Sequence, residues 1–422
     1  MCLCLLSEAH SASKELLTDP VLNGVAKLIP SDATERDGFG RSIALSADGR
    51  TALFGAEKAV CSRGMDCGAA YVFVRETGGT WIQQQKLTSS DAHAFSNFGH
   101  AVALSGDGDT ALIGADTGTG SGYIFVRRRN HWSQRQELTV HDAGSSANFG
   151  WSVALSADGK TALIGAINAV CPTGADGCGA AYVFTRGKND SWVEQQKLTA
   201  SDASPDDEFG SSVALSADGK IALLGVFFAD CSTGNDCGAA YVFSRASSGA
   251  WLEQKKLTAS DQAASAEFGS SIALSSNGKT ALIGAPNAFC PSGMTFCGAA
   301  YVFAVKDNTW VEQQKLTVAS DAGGAFGAVL GLAPNGQLAL IGDRDAECPA
   351  LGGECGAAYI FAYNRGHWLQ QKKLTASDAA LADSFGVSVA LSAGGKEALV
   401  GTDNALCPSS PNCGSADVFR MG

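Results

Sequence analysis

Residues 209–225 read FGSSVALSADGKIALLG. Two short runs of β-formers, Val213-Ala214-Leu215 and Ile221-Ala222-Leu223-Leu224, flank Asp218-Gly219, a dipeptide suited to a tight turn between antiparallel strands. A helix does not fit, because each apolar run is short and bounded by Ser, Asp or Gly. Downstream, AAYVFSR (239–245) supplies a third strand, ASSGA (246–250) a turn and WLEQKKLT (251–258) a fourth. ASDQAASAE then leads to the next Phe-Gly, at Phe268.

The same unit recurs. Phe-Gly opens it at Phe39, Phe98, Phe149, Phe209, Phe268, Phe326 and Phe385, at intervals of 59, 51, 60, 59, 58 and 59 residues. Length alone would predict about two or three domains, but a period this regular takes precedence. Four antiparallel strands repeated seven times predict an all-β fold, a seven-bladed β-propeller. The first strand is small and apolar, as an inner strand near a narrow axis must be. The fourth is polar, as in Glu253-Gln254-Lys255-Lys256. That suits an outer edge, where lysine discourages edge-to-edge pairing. The last unit ends after CGSADVFRMG, one strand short. LNGVAKLIPSD (22–32) aligns with the fourth-strand segment WIQQQKLTSSD (81–91), so the N-terminal segment is expected to complete the last blade. Residues 22–422 then form one domain, and residues 1–21 a tail or leader remnant.

FGSSIALSSNGKTALIGAP, Phe268 to Pro286, resembles an FG-GAP repeat, the unit of the seven-bladed propeller at the head of integrin alpha subunits. The W-x-x-Q-x-K-L-T-A-S-D strand makes the chain most similar to bacterial FG-GAP proteins. The resemblance covers nearly the whole chain and implies the fold, not an activity. Many integrin repeats bind calcium in the first hairpin through D-x-D-x-D-G-x-x-D. Here the first unit keeps Asp48-Gly49, but Ala44, Ser46 and Ala52 fall on three ligand positions. Asp-Gly is therefore read as hairpin chemistry, with no metal or other cofactor expected.

Twelve of the fourteen cysteines form six local pairs: Cys61/Cys67, Cys171/Cys178, Cys231/Cys237, Cys290/Cys297, Cys348/Cys355 and Cys407/Cys413. In the second unit both members vanish together and the loop shrinks to ADTGTGSG. Joint loss is what a mutual bond predicts. A structural zinc site takes four ligands, whereas equivalent loops here lie a whole blade apart. A redox pair favours C-x-x-C beside a βαβ unit. Six disulfides fit best, with free core thiols or metal as the alternatives. They place the protein in an oxidising compartment: extracellular, cell-surface or periplasmic. MCLCLLSEAH makes a poor signal peptide, lacking a basic start and a small-residue cleavage site.

Other functions are disfavoured. A net charge of −12 argues against nucleic acid as a partner. No stretch reaches the roughly 18 apolar residues of a spanning helix. No G-x-S-x-G, H-E-x-x-H or P-loop appears, and the six histidines, among them His93 and His100, fall in tails, turns and inter-blade loops without a repeated partner. No irregular cluster of His, Asp, Glu or Arg is evident at one end of the ring. The Ser-Asp before each Phe-Gly, as in Ser201-Asp202, is read as a side-chain-to-backbone turn. Six tryptophans head fourth strands and are expected between blades; Trp151 is the odd one. VRRRNHWSQR (126–135) is either a solvated turn or a docking patch for an anionic partner.

The expectation is a non-catalytic binding or adhesion scaffold, monomeric, with a protein or glycan ligand. The rival is a propeller hydrolase or lyase with its site over the axis; a structural domain of a larger assembly is a third reading. Alternating strand direction puts the cysteine loops and the segments before each Phe-Gly at one end of the ring. Binding residues concentrate on loops held by a rigid scaffold. The candidates are Lys58, Asp116, Asn168, Phe227, Phe228, Asn287, Asp343, Arg344, Asp345, Glu347 and Asn404, all but Asp116 on loops pinned by the paired cysteines. The pair Phe227-Phe228 and the charged run Asp343-Arg344-Asp345 with Glu347 suggest an aromatic anchor beside a polar rim.

Overall fold

The computed structural model describes residues 26–171, 174–175, 177–290, 296–318, 324–348, 352–407 and 412–421. Seven four-stranded antiparallel sheets follow one another round a ring, six of them with their strands in chain order from axis to rim. Blade 4, for example, runs Ser212–Leu215, Ile221–Val226, Ala239–Arg245 and Trp251–Leu257. Blade 7 combines Phe385–Leu391, Glu397–Thr402 and Ser415–Arg420 with Ala26–Leu28 as its outer strand. The N-terminal segment therefore closes the ring, through three residues rather than the seven or eight of other outer strands. The proposed tail, residues 1–21, lies outside the described residues.

The hairpin chemistry is as the sequence implies. Asp218 Oδ1 accepts the Ser216 hydroxyl at 2.7 Å, and Ser216 Oγ accepts the Ile221 N–H at 2.9 Å. Gly219 takes the left-handed backbone, φ 62°, that closes the turn.

The Phe-Gly motif is a blade-to-blade joint. Phe209 is fully buried and packs on Tyr241 and Phe243, with centroids at 5.6 and 6.1 Å. It shares one core with Leu163, Val183 and Leu198 of blade 3, so apolar packing lies between blades as well as within them. Burying such a ring is worth about 1.5–3 kcal/mol. Gly210 is a glycine because its φ is 87° and a Cβ there would lie 2.7 Å from the Ala180 carbonyl oxygen of blade 3; its own carbonyl in turn requires glycine at Gly165, where a Cβ would lie 2.1 Å from it. A core spanning Leu399 and Val418 with Phe39 and Phe54 joins blade 7 to blade 1.

Two further joints repeat. Gln196 on the outer strand of blade 3 clasps the backbone of Trp251 in blade 4, donating to its carbonyl at 2.9 Å and accepting from its N–H at 2.8 Å. Gln85, Gln136 and Gln314 do the same for Trp132, Trp192 and Trp368. These tryptophans do sit at blade interfaces. The Ser-Asp step corrects the sequence reading. Asp202 does not fold back on its own turn; it reaches into blade 4, where it accepts from Tyr241 Oη at 2.5 Å and Lys256 Nζ at 2.7 Å. A tyrosine hydroxyl buried by the inter-blade core needs an acceptor, and the incoming crossover supplies one. Asp261 repeats the arrangement with Tyr301 and Lys315.

All six cysteine pairs are bonded within their own loops: Cys61–Cys67, Cys171–Cys178, Cys231–Cys237, Cys290–Cys297, Cys348–Cys355 and Cys407–Cys413, with Cα–Cα separations of 5.0–6.0 Å. Most of the bridging side chains lie beneath the loops. The second cysteine of every pair, Cys67, Cys178, Cys237, Cys297, Cys355 and Cys413, is buried, and so are Cys171 and Cys290. The cysteine loops stand at the end of the ring that also carries the segments before each Phe-Gly, but these side chains are not part of its surface. They brace the loops from beneath, because a disulfide is apolar and packs against the blade below.

Backbone bonds tie the second cysteines forward. Phe98, Phe209, Phe385 and Phe39 donate their N–H groups to the carbonyls of Cys67, Cys178, Cys355 and Cys413 at 3.2, 2.9, 2.9 and 3.3 Å, and Phe268 donates to Cys237 O at 3.0 Å. The glycine after each second cysteine also bridges that phenylalanine, as Gly298 does Phe326 after Cys297. Each bridge thus fixes a loop against the next blade's Phe-Gly joint. The basic segment is a turn at the opposite end of the ring, with Arg127 paired to Asp109 at 2.7 Å and Arg128 to Asp190 at 3.2 Å.

Candidate binding site at the axial mouth

The residue after each Phe-Gly opens the inner strand and lines the axis at the loop end. The seven are Arg41, His100, Trp151, Ser211, Ser270, Ala328 and Val387. Blades 1–3 present large functional groups; blades 4–7 present small side chains. Below them Ile43, Val102, Val153, Val213, Ile272, Leu330 and Val389 form an aliphatic ring. The funnel so formed has a volume of about 280 Å³.

A second circle surrounds the mouth, built from the residue after each second strand. Its charged members are Glu57, Asp116, Arg344 and Asp403, from blades 1, 2, 6 and 7. The two circles interlock. His100 Nδ1 lies 2.6 Å from Glu57 Oε2 and 3.8 Å from Asp116 Oδ2. Arg41 Nε lies 3.2 Å from Glu57 Oε1, and Arg41 Nη1 3.6 Å from Asp403 Oδ2. The His100 and Trp151 rings stand 4.7 Å apart. Burial pushes the Glu57 carboxyl up, but the His100 hydrogen bond and the charges of Arg41, His100 and Lys58 outweigh it and hold it below its ordinary value. Glu57 is therefore ionised at neutral pH and only accepts. The shared proton belongs on His100 Nδ1, which leaves Nε2 for another partner. Asp403 is raised by burial against the pull of Arg41 and Arg344. On the small-residue side Glu208 is pushed up to about 7 by burial and the nearby Asp206.

This cluster corrects one expectation: an irregular group of His, Arg and carboxylates does stand at one end of the ring. The repeat hides it, because its members lie in blades 7, 1, 2 and 3. The signal was present: the position after Phe-Gly holds Arg41, His100 and Trp151 in the first three units and only Ser, Ala or Val in the other four.

The predicted binding-face residues lie at the same end, with different fates. Asp116 is buried and accepts from Asn97 Nδ2 at 3.2 Å; its carbonyl accepts from Asn148 Nδ2 at 2.8 Å, and Asn168 donates to Asn148 at 2.8 Å. These amides hold the mouth in place. Lys58, Glu347 and Asn404 are exposed. Asn287 hydrogen-bonds Glu267, whose carboxyl is raised chiefly by burial. Phe227 and Phe228 are half-buried, ring centroids 4.1 Å apart, and Arg344 pairs with Asp345 at 3.7 Å. Asp343 is a correction: it is fully buried and accepts the Ala325 N–H at 2.8 Å, so it braces a loop. The aromatic pair and the charged run also belong to blades 4 and 6, with blade 5 between them. Among the described residues no group of three His, Cys, Asp or Glu is placed to hold a metal ion.

The class is thus a closed seven-bladed propeller with a polar axial mouth framed by disulfide-bonded loops. The FG-GAP repeat pattern matches residues 23–73, 81–126, 132–184, 192–243, 251–303 and 368–419, and the chain belongs to that family. The match passes over blade 6, whose hairpin reads APNG instead of SADG. No curated protein matches the chain in sequence. Solved structures with similar folds include hydrazine synthase of Kuenenia stuttgartiensis, 16% identical over 93% of this chain and 97% of that one, TM-score 0.57. A chain of the mitotic checkpoint complex is 13% identical over 100% and 98%, TM-score 0.55. The periplasmic gluconolactonase PpgL of Pseudomonas aeruginosa is 16% identical over 80% and 86%, TM-score 0.50. At these identities the likeness is one of fold.

Proposed function

We propose that this protein is an exported binding module, extracellular, cell-surface or periplasmic, that holds a protein or glycan at the loop end of its ring. The reading takes residues 22–422 as one domain acting as a monomer. One observation carries it: a near-symmetric repeat abandons its symmetry at the axial mouth, on the face whose loops are pinned by disulfides. Uniform repeats are explained by folding alone; a charged, aromatic arc concentrated in three adjacent blades and the seam is not. Preformed loops lower the ordering cost of association. The six disulfides support the oxidising compartment. The test is a protein and glycan array probed with wild type, Arg41→Ala and Arg128→Ala. A ligand retained by Arg128→Ala and lost by Arg41→Ala supports the reading; the reverse overturns it.

The His100–Glu57 pair favours a second reading, an axial hydrolase or lyase. A carboxylate that orients an imidazole and fixes its tautomer is the arrangement a general base needs. Two of the structures of similar fold are named as enzymes, a gluconolactonase and a hydrazine synthase. Turnover of a lactone, ester or glycoside that disappears in His100→Gln would establish it.

A further inference from the structure

Resting on the binding reading, we propose that the axial mouth recognises one sugar ring, the terminal unit of a neutral glycan, and not an ionic group.

Unmet hydrogen-bonding capacity is the first observation. Ser270 lines the funnel, and its Oγ, turned under the surface, has no partner among the described residues. Asp403 Oδ1, beside Arg41, is buried and likewise without a partner. One is a hydroxyl that donates and accepts; the other only accepts. Leaving such groups unpaired costs about 1–3 kcal/mol each, and a change of the Ser270 rotamer would offer its hydroxyl to a ligand in the funnel.

Charge is the second. A cation entering the mouth meets Arg41, and its best acceptor, Glu57, is already engaged by Arg41 and His100. An anion meets Glu57, Asp116 and Asp403. Either ion has to break an internal pair. A neutral polyol offers donors and acceptors together and adds no charge.

Shape is the third. Trp151 gives the funnel an aromatic wall, and the aliphatic ring beneath it, Val153 and Ile272 included, gives an apolar floor. Pyranose rings carry an apolar C–H face and a hydroxyl-rich edge, so they need both kinds of surface. A volume of about 280 Å³ sits at the lower edge of ligand pockets, roughly 300–1,000 Å³, and suits one ring rather than a chain of them.

Saturation-transfer NMR on the full chain tests this. The probes are methyl hexosides and methyl N-acetylhexosaminides, with methyl hexuronates and ethylguanidinium as ionic arms. Neutral glycosides are expected to receive saturation. Trp151→Ala should weaken them by about tenfold and Ser270→Val by about fivefold, the loss of one stacked face and one hydrogen bond. Melting temperatures should stay near wild type, and Arg128→Ala should bind normally. Binding of ionic probes alone, no neutral glycoside bound, or glycoside binding untouched in both mouth variants overturns the proposal. An array partner that needs Arg41 while every glycoside fails would sink the sugar and leave the binding reading standing. A partner lost only in Arg128→Ala would sink both.

Discussion

Asp417 stands directly opposite Lys27 in the strand pair that closes the ring. The other six blades carry a tyrosine there: Tyr71, Tyr123, Tyr182, Tyr241, Tyr301 and Tyr359. In blade 4 the tyrosine hydroxyl donates to the crossover aspartate, while the lysine neutralises it. At the seam Lys27 holds Asp378 at 2.6 Å, but Asp417 brings another acceptor instead of a donor, and its Oδ2 has no partner.

The seam should therefore respond to pH. Burial pushes Asp417 up to about 6; Lys27 pulls against this, and Asp378 and Asp383 add to it. The folded value exceeds the unfolded 3.8, so this group's contribution is complete below about pH 4 and is lost as pH rises through about 6. Asp202 and Asp261 are held low, and their contribution is lost only at more acid pH. Between about pH 5 and 7.5 the Asp417 term is worth about 1–2 kcal/mol. Calorimetry should show a melting temperature higher at pH 5 than at 7.5, with a flatter profile in Asp417→Asn. Identical profiles for the two proteins would refute the seam account.

The glutamine clasp makes a two-way prediction. Gln196→Ala removes two hydrogen bonds to Trp251 and should cost about 1–3 kcal/mol. Blade 4 has Lys255 at the equivalent position, facing blade 5. Lys255→Gln should restore the clasp to Trp310 and stabilise by about 1 kcal/mol. Urea unfolding measures both; destabilisation by Lys255→Gln would contradict the geometry.

Native protein digested without reductant should yield six intra-loop disulfide peptides. Each bridge closes a short loop, worth about 2–3 kcal/mol. Cys61→Ser with Cys67→Ser should lower the melting temperature and leave the fold intact. A cross-blade bridge such as Cys67 to Cys171 would break the scheme.

At the loop face, Phe228→Ser and Arg344→Ala should weaken binding of a large ligand several-fold, since both flank the mouth without building the core. Neither should shift the melting temperature much. Ligand binding at full strength by both variants would confine recognition to the axial mouth.

The fold was legible because its signals are local and repeated seven times. Asp-Gly turns, short β-runs and the Phe-Gly step each depend on a few neighbouring residues, and the truncated last unit announced the closure. The cysteine pairing was legible for the same reason: both partners sit in one loop and disappear together from blade 2. Which sulfurs are buried was not legible. Cys297, Cys355 and Cys413 turn inward only because the next blade's Phe-Gly joint covers them.

The axial mouth was not legible, because Arg41, His100 and Trp151 are neighbours only once the ring has closed. Glu57 and His100 are 43 residues apart, and Arg41 and Asp403 meet across the seam between the first and last blades. Asp202 was misread as a local turn because its partners, Tyr241 and Lys256, lie in the following unit. Asp343 reads as surface charge until burial turns it inward. Residue order determined the blade, its turns and its clamps. Closure of the ring decided which side chains share the axis, because contact there depends on blade position and not on distance along the chain.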